Sequence, residues 1–276
     1  MTTTWTNVSA GLGEYADVNG LHMYIETHGT GRPLILLHGG LGSGEMFGPI
    51  LPALADHHQV ILPDLQGHGR TADIHRPLSV IMMADDIAAL ISHLGLDRPD
   101  VVGYSLGGGV AIHLAARHPE RVRKAAAFSA HIRRNAIYAE MLGQQGQVSA
   151  AAAPYMKDTP MYELYARVAP RPEDFPALLD KIGESMAQDF DFSEEIRGIQ
   201  VPLLYGCADA DMFPVSHAVE VFELLGGGQR DGGWQGEGRP AGGHALAVLP
   251  GLTHYNVCTS PLMAVATLEF LDAPEG

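Results

Sequence analysis

Ser105 lies in Gly103-Tyr104-Ser105-Leu106-Gly107-Gly108, a glycine-flanked serine that follows a short apolar run and opens a helix-like stretch. A serine at a tight strand-to-helix turn sits on strained backbone with its oxygen projecting, next to the free N–H groups and positive dipole end of the helix. That arrangement suits attack on an acyl carbon. A bare Gly-x-Ser-x-Gly match arises by chance, and the inert alternative is a packing turn. The strand–turn–helix context separates the two.

A serine hydroxyl is a weak nucleophile and needs a base and an oriented acid. Of the 14 histidines, His254 stands apart, because it ends Leu249-Pro-Gly-Leu-Thr-His254 directly after the last predicted strand. Ligands of open parallel sheets bind at the carboxyl ends of strands, where Ser105 also falls. Two carboxylates compete for the third role, since Asp209 and Asp211 both follow the strand predicted over Pro202–Cys207. Either one gives the order Ser, Asp, His. The backbone N–H of Leu106, just after the nucleophile, is the first expected donor to a developing oxyanion.

The elements that must position these residues can be read from periodicity. Leu21–Glu26 alternates and Pro33–Leu37 is an apolar run, and together they look like an antiparallel pair. Strand then helix recurs: Gln59–Leu62, helix Ser79–Leu94, Asp100–Gly103, helix Leu106–His118 and strand Ala125–Ser129. The rhythm returns at Val201–Gly206, helix Val215–Leu225, strand Ala245–Leu249 and helix Pro261–Leu271. Such alternation implies an α/β fold with a mostly parallel sheet flanked by helices. Between about Ala130 and Arg197 the chain is Met-, Tyr- and Ala-rich and punctuated by prolines, which reads as a helical cap inserted in the sheet. The expected division is a core of 1–130 and 198–276 with a cap of 131–197. Gly226–Gly243 reads as an irregular surface loop.

On these motifs the chain resembles the α/β-hydrolase superfamily, in particular its small cofactor-free serine esterases and haloperoxidase-like members. The resemblance implies an eight-stranded sheet. It also implies that the second oxyanion donor is the residue after His38-Gly39, hence Gly40, with Leu41 as the alternative and a pocket residue. His38 is expected to be structural, as is the turn Asp64-Leu-Gln-Gly-His-Gly-Arg-Thr71, in which His68 and Arg70 are the residues of interest. The family's acid loop reads Gly-Asp-x-Asp. Counting from Gly206 selects Asp209, whereas counting from Pro202, or back from Pro214 and His217, selects Asp211. Asp211 is favoured, which leaves Asp209 to cap a turn or the next helix.

The reaction expected is hydrolysis of a carboxylic ester or lactone through Ser105, Asp211 and His254. Serine at the elbow argues against the dehalogenase and epoxide hydrolase branches, which carry aspartate there. Carbon–carbon hydrolysis of diketones and cofactor-free perhydrolysis remain alternatives on the same residues, and a non-catalytic small-molecule binder is the reading from another class. Met141, Met161 and Tyr162 in the cap, with Tyr155, Met156 and Tyr165, either wall an apolar pocket or pack the cap onto the core.

Composition sets the outer limits. The chain has 276 residues, 46% of them hydrophobic, and carries 32 acidic against 17 basic side chains for a net charge of −15. That field and the lack of any basic run exclude nucleic acid and anionic membranes as expected partners. No pattern marks a nucleotide or metal site, so no cofactor and no metal are expected. Cys207 and Cys258 form no disulfide framework. The segment Met1–Trp5 does not read as a signal peptide, and no stretch is long enough to span a membrane, so a cytoplasmic protein is expected. The partner expected is a small apolar ester, with a homodimer left open.

Overall fold

The computed structural model describes residues 12–234, 236 and 242–274. The segment Met1–Trp5 and parts of the glycine-rich stretch (235 and 237–241) lie outside the described residues. The described remainder of that stretch holds turns and bends, as a surface loop should.

Eight strands form one sheet: β1 (Leu12–Val18), β2 (Leu21–His28), β3 (Arg32–Leu37), β4 (His58–Pro63), β5 (Asp100–Tyr104), β6 (Ala125–Phe128), β7 (Leu203–Ala210) and β8 (Ala245–Thr253). Their spatial order is β1-β2-β4-β3-β5-β6-β7-β8, and every pairing from β4 through β8 is parallel. The antiparallel pairing expected between the segments at Leu21–Glu26 and Pro33–Leu37 does not form. β2 instead pairs antiparallel with β1 and β4, while β3 sits between β4 and β5. Burial gives the reason. Leu34–Leu37 are all fully buried and need cover on both faces, whereas β2 alternates and suits a place nearer the edge.

Helices α1 (Leu51–Ala55), α2 (Val80–His93), α3 (Leu106–Arg117), α9 (Val215–Leu224) and α10 (Pro261–Asp272) cover the sheet. Two apolar cores result, one on each face. Ile35, Leu37, Val101, Ala127 and Tyr205 join the first, and Leu34, Leu36, Val102, Phe128 and Leu204 the second. Truncating a core leucine of this kind to alanine costs about 2–5 kcal/mol. No helix among the described residues is long and apolar enough to cross a membrane.

Between β6 and β7 lie α4 (Ala139–Gln145), α5 (Ala153–Met156), α6 (Pro160–Val168), α7 (Phe175–Ala187) and α8 (Ser193–Arg197). A two-stranded neck closes the start and end of this excursion. Phe192 N–H donates to Ile132 O at 2.8 Å, Arg134 N–H donates to Phe190 O at 3.1 Å, and Arg133 bridges Asp191. Two polar ties hold it to the sheet side. Glu45 accepts from Arg70 and from Arg167 of α6, both at 2.5 Å. Lys181 of α7 pairs with Asp73 at 2.5 Å and donates to Ile74 O and Arg76 O at 2.8 Å.

Candidate active site

The elbow follows from packing at its glycines. Ser105 has φ +52° and ψ −115°, a strained conformation fixed by Ser105 N–H to Phe128 O (2.8 Å) and Gly107 N–H to His38 O (3.0 Å). A Cβ on Gly103 would stand 2.0 Å from Gly107 O, and one on Gly107 would stand 2.3 Å from Leu37 O. Only glycine lets α3 start this close to β3 and β5. Among the described residues just five non-glycines have positive φ, and three of them, Leu41, Ser105 and Ser129, surround this point. Backbone strain of about 1–3 kcal/mol per residue persists where the surroundings over-determine it, and it clusters at functional sites.

Ser105 Oγ lies 3.1 Å from His254 Nε2, and His254 Nδ1 lies 2.8 Å from Asp211 Oδ1. Because a carboxylate only accepts, the imidazole carries its proton on Nδ1 and offers Nε2 to the serine. Asp211 is buried and multiply held. Its Oδ2 accepts from Ser129 Oγ at 2.6 Å and from Ala208 N–H at 3.1 Å, and its Oδ1 also accepts from Met212 N–H at 2.8 Å. Burial alone would raise its pKa, but the bonds from His254, Ser129 and Met212 outweigh that and hold it below the usual carboxylate range.

Asp209, the rival carboxylate, is exposed and turned away from His254. It accepts from Gly251 N–H (2.9 Å) and Leu252 N–H (3.2 Å), so it holds the irregular end of β8 just before His254 and not the next helix. The histidine loop is fastened a second time by Tyr104, whose hydroxyl donates to His254 O at 2.6 Å.

The loop after β3 lies on the other side of Ser105. The N–H groups of Gly40, Leu41 and Leu106 meet no backbone acceptor among the described residues, which leaves them available to an oxyanion. His38 shapes this loop from beneath. Its Nδ1–H donates to Gly39 O (2.8 Å) and its Nε2 accepts from Leu65 N–H (2.9 Å). Burial, and then the neighbouring His68, press its pKa down to about 3, so it is neutral and both nitrogens are occupied. Asp64 closes the same turn by accepting from Gly44 N–H (2.9 Å) and Arg70 N–H (2.8 Å). A Cβ on Gly69 would strike its carboxylate at 2.2 Å. His68 donates to Gln66 O, and Arg70 pairs with Glu45.

The cap residues divide. Tyr155 and Met161 are exposed (87% and 41%), so neither walls a buried pocket in this structure. Tyr162 and Tyr165 pack on Phe175 with ring centroids 5.0 and 5.2 Å apart, and Met156 packs on the same core. Tyr162 also lines a cleft of about 260 Å3 with Ala153, Lys157 and Phe175, which does not include Ser105, His254 or Asp211. Met141 is half-buried on α4. Packing is thus the role seen for Tyr162 and Tyr165.

The sequence motifs assign no role to three residues of this region: Tyr104, Ser129 and His131. The signal available for the last two was position alone, since they follow β6 at the edge of the sheet where Ser105 and Asp211 lie.

The model of the alpha/beta hydrolase fold family matches residues 32–156. A protein provisionally named carbamate hydrolase RutD, from Azorhizobium caulinodans, is 31% identical over 74% of this chain and 82% of its own length. The 2-hydroxy-6-oxo-2,4-heptadienoate hydrolase of Pseudomonas putida is 34% identical over 43% of this chain, which is 45% of its own length. The solved enol-lactonase of Burkholderia xenovorans superposes with a TM-score of 0.71 at 21% identity, covering 94% of this chain and 100% of its own. That last likeness shows the fold alone. Together with the eight-stranded sheet and its elbow, the relative matched over most of both lengths leads to one conclusion: this chain belongs to the α/β-hydrolase family and is a hydrolase.

Proposed function

We propose that this hydrolase cleaves a carboxylic ester or lactone through Ser105, His254 and Asp211. The observation that carries the reading is the unbroken chain Ser105 Oγ–His254 Nε2 (3.1 Å) and His254 Nδ1–Asp211 Oδ1 (2.8 Å). His254 takes the hydroxyl proton as Ser105 Oγ bonds to the acyl carbon. The oxyanion is held by the N–H groups of Leu106 and of Gly40 or Leu41, each donor contributing about 3 kcal/mol. Collapse breaks the bond to the leaving oxygen, which receives the proton from His254. Water then repeats the sequence on the acyl-enzyme and restores Ser105. Asp211 keeps its charge throughout, fixing the tautomer and stabilising the imidazolium.

The likeness to a 2-hydroxy-6-oxo-2,4-heptadienoate hydrolase favours a second reading, hydrolysis of a carbon–carbon bond in a diketone on the same residues. Hydrolysis of short and medium nitrophenyl esters by the wild type and by Ser105→Ala, beside a diketone panel, tests both. Ester turnover that disappears in Ser105→Ala supports the first reading. Diketone turnover without ester turnover moves the assignment to the second. A folded wild type with neither turnover nor covalent labelling by a fluorophosphonate overturns both.

A further inference from the structure

His131 stands two residues beyond Ser129, just past the end of β6, in a stretch fixed on both sides. Ser129 is bonded to Asp211, Ile132 N–H donates to His217 Nε2 at 3.3 Å, and Ile132 O accepts from Phe192 N–H in the neck. The ring of His131 lies 5.5 Å from that of Phe190, which in turn stacks on Phe192 at 5.0 Å. Most of the side chain is covered, yet no hydrogen bond to either ring nitrogen occurs among the described residues. Burial, then the nearby His254 and His217, lower its pKa to about 4, so at neutral pH it offers one N–H donor and one lone pair.

Its side of the site is set by the sheet. The strands run β3-β5-β6-β7, so the oxyanion loop after β3 and His131 after β6 flank Ser105 from opposite directions. Asp211 follows β7 and His254 follows β8, on the same side of β5 as β6. A leaving oxygen must face His254 Nε2 to receive its proton, so the leaving group occupies the half of the site that contains His131. An uncharged ring with one donor and one acceptor position suits a neutral hydroxyl, which can accept from the ring N–H or donate to the ring lone pair. A carboxylate would find no charge to pair with there.

We infer that His131 is a specificity residue that binds a second hydroxyl on the leaving alcohol, so that the favoured substrates are monoesters of diols or polyols, with Phe190 and Phe192 as the apolar wall. This rests on the ester reading above.

The test compares 2-hydroxyethyl butanoate with propyl butanoate, which differ by a hydroxyl in place of a methyl. The wild type should prefer the hydroxyl ester in kcat/KM by roughly three- to tenfold, the range a single neutral hydrogen bond supplies. His131→Phe should abolish the preference by losing rate on the hydroxyl ester alone, and His131→Gln should keep part of it. Labelling of Ser105 by a fluorophosphonate should proceed in both variants at the wild-type rate. No preference in the wild type, or an equal loss on both esters in His131→Phe and His131→Gln, overturns the inference. Failure of the wild type to cleave either ester or to be labelled would instead count against the ester reading itself.

Discussion

Ser129 donates its hydroxyl to Asp211 Oδ2 at 2.6 Å, while the other oxygen of the same carboxylate receives the proton-bearing Nδ1 of His254 at 2.8 Å. The acid is therefore clamped between β6 and the histidine loop, and the serine helps keep it ionised. Removing a hydrogen bond to a charged group costs about 1.5–3 kcal/mol. Ser129→Ala is expected to lower kcat by roughly ten- to a hundredfold with KM little changed. Its acid limb should move to higher pH, since Asp211 loses one of the bonds that depress its pKa. A pH–rate profile superimposable on the wild type would contradict this.

Asp209 and Asp211 should separate cleanly by kinetics. Asp211→Asn removes the negative charge and replaces one acceptor oxygen by a donor, so the His254 tautomer is no longer fixed, and a loss of about 10^3–10^4 in kcat is expected. Asp209→Ala loosens only the exposed cap on Gly251 and Leu252. It should cost less than about tenfold, in keeping with one exposed capping bond. Equal losses in the two variants would mean that the loop cap matters as much as the acid.

The two carboxylates could not be ranked from spacing alone, and the reason is physical. Asp209 is taken up by Gly251 and Leu252, the β8 residues opposite the register shift between Ala208 and Ala210, and that pairing with a distant strand leaves Asp211 to meet His254. The elbow, by contrast, was legible because its strand–turn–helix pattern is local, with Gly103 demanded by contacts to Gly107 and Gly108 a few residues on. The helices were legible for a similar reason: the pattern over Ser79–Leu94 yields α2 with Ser79 and Leu94 as its caps. Ser129 and His131 gain their meaning from the pairing of β6 with β7, whose sequence separation no local pattern spans. The misplaced partner of β2 failed in the same way, since pairing order is a property of the whole sheet.

Gly107→Ala should fail to fold. Its Cβ would meet Leu37 O at 2.3 Å, a backbone atom that cannot swing aside. The expected readout is loss of soluble protein or a cost above about 3 kcal/mol in denaturant unfolding. Gly40→Ala is the control, because no atom lies within 4 Å of its added Cβ. A folded, active Gly107→Ala would show that the contact of α3 with β3 can relax.

Acid should destabilise the fold steeply. His38 falls to about 3, and His113 and His131 to about 4, each chiefly by burial, so the folded chain leaves them neutral where the unfolded chain protonates them. Their contribution is full above the unfolded value of about 6.5 and is lost as pH falls from there towards the folded values. Asp64, raised to about 6 by burial, acts in the opposite sense between about pH 4 and 6. His58, His68, His217 and His244 are lowered by burial in the same sense, while Asp86 and Asp100 side with Asp64. The histidines outnumber the aspartates, so stability should fall as pH drops from 7 to 5. Denaturant unfolding at pH 7 and pH 5 checks the slope. Equal stability at the two values would show that these imidazoles are not held neutral.

The neck at Ile132–Arg134 and Phe190–Phe192 has a bearing on how this protein can change over evolutionary time. The helical excursion leaves and returns through this neck, where Arg133 and Asp191 face each other in an antiparallel bridge. Its two ends are therefore about one strand spacing (~4.8 Å) apart at that point. Such a junction works as a socket. Whole segments can be lengthened, shortened or exchanged there while Ser105, Asp211 and His254 stay in place, so the walls around the proposed triad can change without rebuilding it.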